Sequence, residues 1–308
     1  MVGAKMDHCL IVGGDSQIGS HLSLALKSKG HSVISSTRKV STTTSNTIYL
    51  DLDQPNSWNF SLSGISTVVL CAGESRIKYC EEYPNKSRKI NIDALSAISK
   101  KCILAGCHVI FLSTNLVFDG TTANVQADSP TCPKTEYGKQ KLEFEGIIRS
   151  FSQSQSCILR LSKVISDKWP LLQSWLRDLN KEKTIFPFSD MYLSPITLDF
   201  TVEVIIKAIE SKTEGILQIS ATEDISYYDF CCALMKNIGK PERLIRSATS
   251  LRQAELGDIW KPRYTSMAGD RLQQKLNLSQ PSSMDSILAI SKMFANNKTS
   301  NQEALTTL

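Results

Sequence analysis

A doubly wound parallel sheet of the α/β class is predicted by three features of this 308-residue chain: short apolar runs alternate with helical patterns, a glycine turn joins the first such pair, and each run closes on a polar or small residue. The first strand, Cys9–Val12, runs through Gly13-Gly14-Asp15-Ser16-Gln17-Ile18-Gly19 into a helix at Ile18–Ser28. Further strands are expected at Ser32–Ser36, Thr47–Leu50, Thr67–Cys71, His108–Ser113 and Cys157–Leu161. Helices at Asn85–Ala105 and Tyr137–Ser150 have the three-to-four-residue apolar spacing that covers a sheet face. In the second half, Val202, Ile205, Ile206 and Ile209 share one face of a helix at Asp199–Ser211, ahead of a strand at Gly215–Ser220 and a helix at Tyr227–Ile238. The expected organisation is a sheet domain over 1–162, rejoined by 199–221, with a smaller α/β lobe formed by 163–198 and 222–294. The stretch 295–308 is polar, lacks a sustained period and reads as a flexible tail.

Composition narrows the function classes. Lys and Arg number 35 against 30 Asp and Glu, and the basic residues are scattered rather than gathered into a stripe that would track phosphates, so nucleic-acid binding is not expected. The nine cysteines include no C-x-x-C pair and no cationic, apolar leader opens the chain, which fits reduced thiols in the cytoplasm and no metal site. No apolar run approaches the roughly 20 residues a membrane helix needs.

The glycine loop stands in the strand, turn, helix context that a dinucleotide fingerprint requires, with the helix N-terminus offering free N–H groups to a pyrophosphate. Gly13 and Gly19 suit the tight turn and the close approach; Ser16 takes the middle slot, and Gln17 and Ile18 open the helix. The same glycines would also serve a plain turn in another α/β fold. Sites that prefer NAD place an acid at the end of the second strand. Here Thr37-Arg38-Lys39 stands there, two cations suited to a 2′-phosphate, so NADP(H) is expected over NAD(H), unless the pair is simply a solvated loop.

Tyr137 and Lys141 are four residues apart at a helix start, which puts the ammonium beneath the phenol on one face. A neighbouring cation lowers a tyrosine pKa, making the phenol a proton donor or acceptor beside a carbonyl or alcohol, and Lys141 could also hold a nicotinamide ribose. Such a pair on its own is usually part of a partly exposed helix face. The preceding strand, however, ends in Ser113-Thr114, where a hydroxyl would sit at the sheet's carboxyl edge and polarise the same oxygen.

With these residues in view the chain resembles an extended short-chain dehydrogenase, Rossmann-like, closest to the dTDP-4-dehydrorhamnose reductase branch. The likeness rests on the glycine loop, Asp51-Leu52-Asp53, Cys71-Ala72-Gly73, Asn91, the segment Ser113 to Gly120, which is similar to S-T-D-Y-V-F-D-G, Tyr137-Gly138-Lys139-Gln140-Lys141, and Ser194-Pro195-Ile196, similar to S-P-T. It implies that Thr114, Tyr137 and Lys141 are catalytic. It further implies that Gly13, Ser16, Gln17, Ile18, Gly19, Arg38, Lys39, Asp51, Leu52, Cys71, Ala72, Gly73 and Asn91 hold the cofactor with Tyr137 and Lys141, and that Asn115, Phe118, Lys163 and Arg263 face a nucleotide sugar. Two departures bear on the substrate: the family's D-Y is Asn115-Leu116 here, and its S-W is Ser162-Lys163, where the lysine is more commonly a surface residue but could face a phosphate or a carboxylate. Lys261-Pro262-Arg263-Tyr264-Thr265 also resembles a substrate-side loop of the family, in which Arg263 could clasp a diphosphate or equally be a plain surface arginine.

The implied reaction is NADP(H)-dependent reduction of a 4-keto nucleotide-activated sugar by a protein that could form a homodimer. A dehydratase of this fold would place Asp-Glu after the threonine, which Asn115-Leu116 does not match. An epimerase needs the same triad but usually runs on NAD. A cofactor-binding regulatory subunit resembling the methionine adenosyltransferase β subunit, without chemistry, is the reading from a different class.

Overall fold

The computed structural model describes residues 8–55, 58–250 and 261–306. Its strands are β1 (His8–Val12), β2 (Ser32–Thr37), β3 (Thr47–Tyr49), β4 (Thr67–Leu70), β5 (His108–Thr114) and β6 (Ser156–Leu161), then the short β7 (Lys163–Ile165), β8 (Tyr192–Leu193) and β9 (Pro195–Thr197), and finally β10 (Gly215–Ile219) and β11 (Ile225–Ser226). Seven of them make one sheet in the order β10-β6-β5-β4-β1-β2-β3, and every pairing within it is parallel. The winding reverses between β1 and β4, which opens a crevice at the carboxyl ends of those strands.

The helices are α1 (Gln17–Ser28), α2 (Ile77–Glu82), α3 (Pro84–Arg88), α4 (Leu95–Leu104), α5 (Glu136–Phe151), α6 (Pro170–Asn180), α7 (Leu198–Glu210), α8 (Tyr227–Asn237), α9 (Asp270–Leu276) and α10 (Ser283–Thr306). The period of two along β1 explains why they cover both sheet faces. Cys9 and Ile11 pack in a core with Leu22 and Leu26 of α1 and Val202, Ile205 and Ile209 of α7, whereas Leu10 and Val12 join Leu95 and Ile98 of α4 and Phe144 and Ile148 of α5. A separate core holds the lobe beyond the sheet, where Trp169 meets Trp175 and Phe230 in edge-on contacts at centroid distances of 6.2 and 5.9 Å.

Two elements differ from the sequence reading. The helix expected over Asn85–Ala105 is interrupted by a π-helical stretch, Lys89–Ala94, where Asn91 finds polar partners that apolar periodicity does not reveal. The backbone also stays helical to Thr306, past the Ala295 at which an aperiodic tail was expected; the stretch contains no Gly or Pro to stop the ladder.

Candidate active site

The site begins where β1 ends. Gly13 has φ +93°, and a Cβ there would come within 2.6 Å of the Ala72 backbone nitrogen, so only glycine lets the loops after β1 and β4 meet. The Gly13 N–H donates to Ser36 Oγ at 2.8 Å and the Gly14 N–H to the Ser36 carbonyl at 2.9 Å, tying the loop to β2. Ser16 caps α1 by accepting from the Gly19 N–H at 3.0 Å, and a Cβ on Gly19 would lie 2.2 Å from the Gly13 carbonyl oxygen. The N–H groups of Gln17 and Ile18 precede any intrahelical acceptor and carry the positive end of the helix dipole, which makes an anion seat.

A cleft of about 530 Å³ extends from this loop across the ends of β2 and β4, lined by Gly13, Ser16, Arg38, Asp51, Leu52, Cys71, Ala72 and Gly73. Arg38 faces into it. Lys39 lies outside the lining, exposed, because consecutive side chains leaving a strand point to opposite sides. Where an acid would take a ribose diol stands Thr37, which donates to Asp15 Oδ2 at 2.7 Å. The sequence reading missed Glu74 and Arg76 in this lining. Arg76 grips the Glu74 carboxylate through Nε at 2.9 Å and Nη2 at 2.6 Å, and those bonds hold the carboxyl below its usual range. Asn91 is buried behind the cleft, not in it: its amide accepts from the Glu74 N–H at 2.8 Å and donates to the Glu74 carbonyl and Gln140 Oε1, both at 2.9 Å, fixing the loop after Gly73.

A second chamber of about 390 Å³ leads from Ser16, Gln17 and Ile18 past Ala72 to Thr114, Tyr137, Lys141 and Lys163. What brings Thr114 and Tyr137 together is the close approach of the neighbouring Gly138 and Leu116 backbones. A Cβ on Gly138 would lie 2.3 Å from the Leu116 carbonyl oxygen, so glycine there lets the start of α5 press on the turn that follows β5. Thr135 caps α5, and Thr114 caps the 3-10 turn Asn115–Val117. Beneath them a buried ion pair clamps α5 to the sheet: Arg160 Nη2 lies 2.7 Å from Glu145 Oε2, both side chains are 3% exposed, and Ser113 donates to Glu145 Oε1 at 2.5 Å.

The electrostatics of the pair differ from the sequence expectation. Lys141 donates to the Leu112 carbonyl at 2.9 Å and lies 5.6 Å from the Tyr137 ring centroid. Burial pulls its pKa down to about 8, opposed by the Glu145 charge. The Tyr137 phenol is pushed up rather than down: the side chain is half-open to the cleft, but the protein packed around it disfavours the phenolate, and the Cys80 and Glu74 charges push the same way.

A third chamber of about 280 Å³ shares Thr114, Tyr137, Ser162 and Lys163 with the second and continues over Asn115, Tyr192, Tyr227 and Lys261. Of the four residues expected on the substrate side, Asn115 and Lys163 line it. Phe118 is buried under the Arg160 guanidinium, 5.0 Å from its ring centroid, and Arg263 is exposed on the Tyr264 ring. Lys261 and Thr265 of the same segment take the place expected for Arg263. Asp224 holds that segment by accepting from the Thr265 N–H at 2.5 Å and the Ser266 hydroxyl at 2.6 Å.

Comparison with known proteins places the fold and the family. The fold is similar to that of a dTDP-4-dehydrorhamnose reductase from Bacillus anthracis solved in complex with NADP, with a TM-score of 0.79 over 94% of this chain and 98% of that one, at 17% identity. The spore coat polysaccharide biosynthesis protein SpsK of Bacillus subtilis is 28% identical over 249 residues, 80% of this chain and 84% of its own. Methionine adenosyltransferase 2 subunit beta of Xenopus laevis is 24% identical over 208 residues, 63% of this chain and 61% of its own. The model of the RmlD substrate binding domain matches residues 6–295, nearly the whole chain, and the protein belongs to that family, on an extended short-chain dehydrogenase fold.

Proposed function

We propose that this chain reduces the C4 ketone of a nucleotide-activated sugar with NADPH. The observation that carries the reading is the continuity of the trough: the chamber that starts at the α1 N-terminus is the one lined by Thr114, Tyr137 and Lys141, and it opens into a further chamber large enough for a sugar. A nicotinamide dinucleotide fits the long half, because glycine at 13 lets the loops after β1 and β4 meet and glycine at 19 lets α1 start against the Gly13 carbonyl, which leaves the free N–H groups of α1 as a seat for a pyrophosphate. Ser16 to Ile18 would hold that pyrophosphate, Arg38 the 2′-phosphate, Asp51, Leu52 and Ala72 the adenosine, and Tyr137 and Lys141 the nicotinamide ribose. When bound, the dinucleotide supplies the hydride.

The chain's own residues handle the proton. Burial keeps the Tyr137 phenol protonated, so it donates to the carbonyl oxygen as negative charge develops there, and the Thr114 hydroxyl orients the same oxygen. The Lys141 ammonium offsets part of the cost of the resulting phenolate. The residues from 163–198 and 222–294 would form the lobe that closes on the sugar.

Arg38→Ala is expected to weaken NADPH binding by about tenfold or more while leaving NADH within about twofold, as fluorescence titration would show. Equal losses for both cofactors would mean that Arg38 does not read the 2′-phosphate. Lys141 gives a pH prediction. Its ammonium is present below about pH 8 and lost above, so the rate of ketone reduction should fall along an alkaline limb near pH 8. Because that value lies below the ordinary 10.5, folding favours the neutral amine by about 3 kcal/mol, and stability should rise with pH between about 8 and 10.5. Lys141→Met should then lose about a hundredfold in rate yet melt several degrees higher at pH 7, after allowing about 1 kcal/mol for the lost bond to Leu112. A lower melting temperature would contradict this.

The similarity to the methionine adenosyltransferase subunit favours a second reading, a dinucleotide-binding regulator. A regulator would keep its function when the Tyr137 hydroxyl is removed; the reductase would not.

A further inference from the structure

We propose that the sugar accepted here carries a carboxylate, recognised by Lys163; the inference rests on the reductase reading above and names its substrate class. Lys163 follows Ser162 at the start of β7 and lines both the chamber that contains Thr114, Tyr137 and Lys141 and the one that continues to Lys261. Neither chamber has an Asp or Glu among its described lining residues. No ion pair among the described residues includes Lys163.

Its ammonium lies 5.1 Å from the Trp169 ring centroid, and an aromatic face attracts a cation without cancelling its charge. The side chain is open to the cleft, yet the protein around it lowers its pKa by desolvation. A ligand carboxylate would supply the counter-charge through a charge-assisted hydrogen bond.

Among the described residues, position separates the two cations that line these chambers on the sugar side. Lys261 lines only the far chamber, which suits a diphosphate, whereas Lys163 shares the chamber of the proton donor, where the sugar ring must stand. The remaining walls include Ile77, Leu116, Met191 and Leu193, against which a neutral deoxysugar would offer an ammonium hydroxyl acceptors but no counter-charge.

The test is equilibrium titration of the NADP⁺-loaded full chain with the free diphosphates UDP and dTDP, their glucose conjugates and their glucuronate conjugates. For the base the site accepts, the glucuronate should bind about tenfold tighter than the glucose. Lys163→Met should abolish that difference, Lys163→Arg should retain most of it, and neither should alter affinity for the free diphosphate or for NADP⁺. Equal wild-type affinity for glucuronate and glucose overturns the inference while the reductase reading stands. A loss of diphosphate or NADP⁺ affinity in Lys163→Met assigns the lysine to those groups and overturns it too. If no nucleotide sugar binds at all, both readings fail.

Discussion

Tyr137→Phe is expected to lower the rate of NADPH-dependent ketone reduction by about 10²- to 10⁴-fold, the range that general acid catalysis supplies. The substitution removes one hydroxyl and leaves the ring, so the contact with Lys141 and the backbone approach of Gly138 to Leu116 should survive. Affinity for NADPH should therefore stay within about twofold, because the α1 N-terminus and Arg38 are untouched. Single-turnover oxidation of NADPH, beside a binding titration, reads both quantities. A variant that turns over at the wild-type rate would move the proton donor elsewhere; one whose loss of rate is matched by its loss of NADPH affinity would make the ribose contact, and not proton donation, the main role of Tyr137.

Arg160→Met should cost about 3 to 5 kcal/mol of stability, the usual penalty for stranding one member of a buried ion pair. Among the described residues, Glu145 would keep only the Ser113 hydroxyl as a hydrogen-bond partner, and the bond from Arg160 Nη1 to the Ala127 carbonyl, 3.0 Å, would go as well. Replacing both members, Glu145→Leu with Arg160→Met, should recover most of that loss, since two apolar side chains leave no unpaired charge. Denaturant melts of the three variants measure the cycle. A single variant within about 1 kcal/mol of wild type would mean that water or another group compensates, and that the pair does not clamp α5 to the sheet.

How far the sequence reaches depends on the range of the interactions involved. The β1 strand, the glycine turn and the start of α1 are contiguous, so the anion seat could be read from a dozen residues. Tyr137 and Lys141 were legible because one helical turn sets their geometry, and Thr114 because it closes a strand. Their mutual approach was not: it depends on Gly138 meeting Leu116, a contact that no periodicity encodes. The direction of the Tyr137 shift was missed for a similar reason, since spacing reveals the neighbouring cation but not the burial that raises the phenol.

The sugar side was the least legible part. Its walls come from Ser75 and Ile77, Asn115 and Leu116, Met191 to Leu193, Tyr227 and Lys261, segments scattered over the chain and joined only by the lobe. Phe118 follows from motif position and Lys39 from its charge at the end of β2; Phe118 is buried under Arg160 and Lys39 is exposed outside the cleft lining. Arg263 fails by two residues: the segment was the right one, but the turn held by Asp224 presents Lys261 and Thr265.

The most direct test of the central claim is NADPH consumption by the purified chain, followed at its absorbance band, over a panel of 4-keto nucleotide sugars generated in situ. The reading expects saturable turnover with at least one of them and an alkaline limb near pH 8. Tight NADPH binding with no turnover across the panel would contradict it and favour the regulatory role.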